Sequence, residues 1–115
     1  MDNKPTIQDH IFWGMIIKLM CRLTSHLTNT LDATYYSDSE SVQICEDIST
    51  SLTELQNELD RNLFTEYQFK NIAEAKHVYY GSALETFEET ILNPTIKIIK
   101  ETTNEFLENA RKSTT

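Results

Sequence analysis

The sequence predicts an all-α fold, an antiparallel up-down four-helix bundle, and three observations carry that prediction. Glycine and proline number only two each in 115 residues, against ordinary usage of roughly 7% and 5%, too few for the turns of an all-β fold. Apolar residues recur at steps of three and four over four separate segments. Between those segments stand capping residues, Asn93-Pro94 among them, with no long linker and no internal repeat.

The first helix is expected at about 7–32. Thr6 is placed to cap it, with Asp9 three residues on, favourable at the positive end of the helix dipole. Its centre, Ile11 to Leu23, is apolar almost all round. The exceptions are His10, Gly14, Lys18, Arg22 and Ser25 or His26, and their spacing makes one narrow polar stripe. A bundle helix buries only part of its circumference, so Phe12, Trp13, Ile16, Ile17 and Met20 cannot all meet one seam. Full burial of one such side chain is worth roughly 1.5–3 kcal/mol. This helix is therefore expected either to lie centrally among its neighbours or to carry an interface with a second copy or another protein.

Ser37 and Glu40 stand at capping-box spacing ahead of a second helix at about 39–61. Cys45, Ile48, Leu52, Leu55 and Leu59 form a narrow stripe along it, with Ile44 and Leu63 beside the seam. Its remaining face is acidic. Thr65 and Gln68 suggest a new capping box and a third helix at about 66–92, with Phe69, Ile72, Tyr79 or Tyr80, Ala83, Phe87 and Ile91 inward. Gly81 sits within it and, with Gly14, marks a candidate close helix contact. Asn93-Pro94 signals either a helix start or a Pro-kinked continuation. A fourth helix at about 95–111 carries Ile96, Ile99, Thr103, Phe106 and Ala110 as its seam, and residues 112–115 form a disordered tail. The whole is expected to be a single domain.

Lys plus Arg is 10 and Asp plus Glu is 18, a formal net charge of -8. Such a chain is a poor binder of nucleic acid or anionic lipid through its overall field. Glu54 with Glu58, and Glu85 with Glu89, are like-charge pairs one turn apart. They read as a solvated acidic patch or as a surface offered to a basic protein, as acidic inhibitors and immunity-type proteins use against cationic targets. Cys21 and Cys45 lack metal spacing and read as reduced thiols on apolar faces, pointing to the cytoplasm. The apolar run of the first helix carries Lys18 and Arg22, so it does not read as a membrane span.

Chemistry-bearing constellations are sparse. Glu74 and His77 form the one Glu-x-x-His. A ferritin-like di-metal bundle needs that pair twice, with two further glutamates. A single metal held by His10, His26, His77 and a carboxylate is the lesser version. No nucleophile elbow, phosphate loop or activated cysteine is present, so no catalytic residue and no cofactor are expected. The leading expectation is a small acidic helical regulatory or interaction protein, non-catalytic, forming a homodimer or binding a partner through the first helix. The alternatives are an acidic inhibitor of a basic protein and a metal-binding bundle.

Overall fold

The computed structural model describes residues 4–36, 38–68, 75–80 and 87–113. It is all-α: the described residues form three α-helices and one π-helical turn, with no strand among them. They are α1 (Ile7–Thr34), α2 (Glu40–Glu66), the π turn (Glu88–Leu92) and α3 (Asn93–Ser113). The chain divides into two compact units, Met1–Ala83 and Leu84–Thr115.

In the first unit, α1 starts where the sequence places it. Thr6 Oγ1 accepts from the Asp9 backbone N–H at 3.0 Å, and the Thr6 N–H donates back to the Asp9 carboxylate at 2.9 Å. Two of the amide donors that a helix start leaves unsatisfied are thereby paired. Tyr35, in extended conformation, ends the helix. α2 is capped by Ser39, whose hydroxyl accepts from the Val42 N–H at 3.4 Å. The Ser37 of the expected box lies outside the described residues.

α2 does not break near Arg61–Phe64 as expected; it continues to Glu66. The reason is packing. Leu63 is fully buried against Ile17 and Tyr79, with Leu59 alongside, and a helical backbone is what brings positions 59 and 63 to one face. Thr65, read from sequence as a new cap, instead donates its hydroxyl to the Arg61 carbonyl at 2.8 Å within the helix. Because the Ile17–Leu63 contact joins the first half of α1 to the last turns of α2, the two helices run antiparallel.

The helix expected over 66–92 is not continuous. Tyr67 leaves α2 in extended conformation; Ala75 and Lys76 are helical, and residues 77–80 form a turn and bend. The first unit's core is Ile17, Leu63 and Tyr79. Trp13, Cys21, Leu59, Tyr67, Val78 and Tyr80 pack around it. Farther along α2, Val42, Cys45 and Leu52 are also buried. Both cysteines are free thiols; Cys45 is buried and Cys21 half-buried, and burial pushes the Cys21 thiol up.

In the second unit, the π turn runs directly into α3. The Asn93 N–H bonds the Glu88 carbonyl five residues back. Pro94 has no N–H to offer, and a wider turn just before it lets the helix continue. Asn93 is helical and does not cap, so of the two readings of Asn93-Pro94 the continuation holds. Phe87 and Leu92 are buried. From 97 to 113 every residue of α3 is exposed, including Ile99 at 50% and Phe106 at 72%. The helix extends to Ser113, so positions 112 and 113 of the expected tail are helical; residues 114–115 lie outside the described residues. No helix among the described residues is long and apolar enough to cross a membrane.

Candidate functional site

The polar stripe of α1 faces inward. His10 is 1% exposed, Lys18 is 3% exposed and Gly14 between them is buried. Each meets one of three consecutive residues of the 75–80 segment, in reverse order. His10 Nδ1 lies 2.5 Å from the Tyr79 hydroxyl. A Cβ built on Gly14 would stand 2.0 Å from the Val78 carbonyl oxygen, so only glycine admits this approach. Lys18 Nζ donates to the His77 carbonyl. The close contact anticipated at Gly14 is therefore made with a backbone carbonyl; Gly81 lies outside the described residues.

Three positions one turn apart on α1 thus receive a stretch of chain that makes few helical hydrogen bonds of its own. α2 completes the cradle. Gln56 donates to the Tyr79 carbonyl at 2.8 Å, and the Tyr80 hydroxyl donates to Asn57 Oδ1 at 2.5 Å. A buried carbonyl without a partner costs on the order of 1–3 kcal/mol, which explains the inward polar face. The non-helical segment needs donors that an all-apolar α1 would not supply.

His10 is the hub. Its Nε2 lies 2.8 Å from Glu66 Oε2, and the rings of Trp13, Tyr67 and Tyr79 approach it edge-on at 5.4, 6.4 and 5.8 Å. A carboxylate only accepts and a phenol readily donates. The consistent inventory is Tyr79 O–H to Nδ1 and Nε2–H to Glu66. Burial, with Glu66 and Asp60 nearby, pushes the Tyr79 hydroxyl up to about 12. The Tyr67 hydroxyl donates to the Pro5 carbonyl, and Lys4 Nζ sits 4.1 Å above the Tyr67 ring, fastening the lead-in to the same cluster.

Two further charges line this interior. Burial lowers Lys18 from the usual lysine range. Burial also raises Asp60, partly offset by Lys76, and the buried Asp60 Oδ1 has no hydrogen-bond partner among the described residues.

The five α1 residues singled out from sequence are divided between two faces. Ile17 is in the core and Trp13 packs half-buried against it. Phe12 is 63% exposed, and Ile16 and Met20 are exposed on the opposite face, with Leu27 continuing the row. From Phe12 to Leu27 this outward row spans about 22 Å at 1.5 Å per residue. Of the acidic residues, Glu54 and Glu58 are exposed on α2 and Glu89 is exposed in the π turn; Glu85 lies outside the described residues. Glu58 is paired with Arg61 at 2.5 Å.

Among the described residues no three His, Cys, Asp or Glu side chains are grouped to hold a metal. His10 is committed to Tyr79 and Glu66, and Glu74 lies outside the described residues. Sequence reasoning missed the role of Glu66 and left Tyr79 and Tyr80 undecided. The adjacent pair of tyrosines next to Gly81, in a segment otherwise read as helix, was the available signal. The chain matches no protein-family model, no curated protein and no solved structure.

Proposed function

We propose that this is a small, non-catalytic helical protein of the cytoplasm that works by association, and that the outward row of α1 is its contact surface with a second copy. The observation that supports this reading is the exposure of Phe12, Ile16, Met20 and Leu27 on one side of a helix whose other side is already occupied. Monomers seldom leave a connected apolar strip of this kind in water. Moving such half-exposed side chains fully out of water returns on the order of 1 kcal/mol each, enough in sum to hold a weak dimer. His10 and Tyr79 are sealed from solvent, and that supports a structural use for the one cluster with chemical potential.

The test is light scattering over a range of protein concentration, with the parent and with Phe12→Ser/Ile16→Ser/Met20→Ser. A parent that doubles in mass at high concentration, and a variant that stays single while keeping its helical circular dichroism, support the reading. A parent that remains single throughout sinks the homodimer.

A further inference from the structure

Around its circumference α2 carries three bands. Val42, Cys45, Leu52 and Leu63 are buried. Directly beside them run Ile44, Ile48 and Leu55, exposed by 51%, 44% and 44%. Beyond this strip, at about 100° per residue, come Glu40, Asp47 and Glu54, seven residues apart and so nearly in line, with Glu58 one turn on. All four are exposed. The apolar half of α2 is thus wider than the part that is buried, and a file of carboxylates borders its uncovered part.

We propose that this strip and its acidic border form a docking site for a basic amphipathic helix of another protein. A helix laid along Ile44, Ile48 and Leu55 has anchor spacing matched to its own i, i+4 rows. Lysines or arginines on one edge of it reach the carboxylate file, giving the complementary potential that steers encounter and fixes orientation. A second copy suits the strip poorly. It would bring an identical carboxylate file, Glu40, Asp47, Glu54 and Glu58, against this one. An anionic lipid surface or nucleic acid is repelled by the same carboxylates. The inference shares with the proposed function only the premise that the chain acts by contact; it concerns a different helix and a different partner.

The test uses the full chain and a fluorescent amphipathic peptide of about 18 residues, long enough to follow the strip at 1.5 Å per residue. The peptide has leucine on one face and lysine on the other, and binding is read by anisotropy. Saturable one-to-one binding is expected, weakening about tenfold or more when salt rises from roughly 50 to 300 mM, as screening shortens the reach of the charges. Asp47→Lys/Glu54→Lys and, separately, Ile44→Ser/Ile48→Ser/Leu55→Ser should each weaken binding about tenfold or more with the helical circular dichroism intact. Unchanged affinity in the serine variant would mean charge alone holds the peptide, and unchanged affinity in the lysine variant would mean charge plays no part; either overturns the proposal. Equal binding of a leucine–glutamate peptide overturns it too. Light scattering keeps the two readings apart. If the serine changes on α2 abolish a dimer, the strip is a self-interface, and this inference fails while association stands.

Discussion

α1, apolar almost all round, and α3, with a single apolar seam on a polar helix, use their faces in opposite ways. α1 turns its polar stripe, His10, Gly14 and Lys18, into the protein and leaves Phe12, Ile16 and Met20 in water. α3 carries an apolar seam with Ile99 and Phe106, and from residue 97 onward none of it is buried. The difference teaches that apolar area alone does not decide which face of a helix is covered. In α1 the covered face is the one that can satisfy the backbone and hydroxyl groups of the 75–80 segment.

The sharpest way to break this comparison is to empty the hub. His10→Ala removes the partner of both Tyr79 and Glu66 and opens a cavity in the core. A loss of about 3 kcal/mol is expected by urea unfolding, from the cost of stranding buried polar groups plus lost packing. A loss under about 1 kcal/mol would mean that the inward stripe is incidental.

Nearly as large is an alkaline effect. The Tyr79 hydroxyl is raised from 10 to about 12 in the folded chain. A raised acid stabilises the fold fully below its unfolded value, and the contribution is lost as pH climbs through the folded value. Unfolding free energy should therefore fall by about 2 kcal/mol between roughly pH 10 and 12. Tyr79→Phe should flatten that limb specifically. An alkaline limb identical in parent and variant removes Tyr79 from the account.

Gly14→Ala sets two effects against each other. Alanine is the better helix former by about 1 kcal/mol, but its Cβ would meet the Val78 carbonyl oxygen at 2.0 Å. Steric exclusion by backbone wins, and a net loss of about 2 kcal/mol is expected. A neutral or stabilised variant would show that the 75–80 segment does not seat against α1. The smallest effect belongs to α3. Phe106→Ser should change monomer stability by no more than about 0.5 kcal/mol, because the ring is already in water. A loss above about 1 kcal/mol would show that the seam is covered in solution.

Much of the helical content was legible. The Thr6 cap, the first-helix start and the inward positions of Cys45 and Leu52 follow from local rules, because caps and periodicity depend on residues within a few positions, whereas Ile48 and Leu55 of the same expected seam are exposed. The orientation of α1 was not legible. A stripe of His, Gly and Lys reads as the wet side unless one knows that a turn's carbonyls await it, and those belong to residues sixty positions away. The continuous third helix failed for the same reason: periodicity is compatible with a helix through Tyr79, while Gly14 and Lys18 hold 77–80 in another shape. On the candidate surface, the sequence pointed to an apolar excess on the first helix. It did not divide Trp13 and Ile17 from Phe12, Ile16 and Met20, because a nearly all-apolar helix carries no mark of which side is taken.

The pairing of His10 with Tyr79 joins positions 69 apart in the chain. Once the α1–α2 hairpin closes over its short connection, Glu66 lies beside His10, and the chain from position 66 to position 79 is all that separates the tyrosine from its pocket. The closed hairpin thus turns a contact between distant positions into a local one, and the entry of Tyr79 adds little loop-closure entropy.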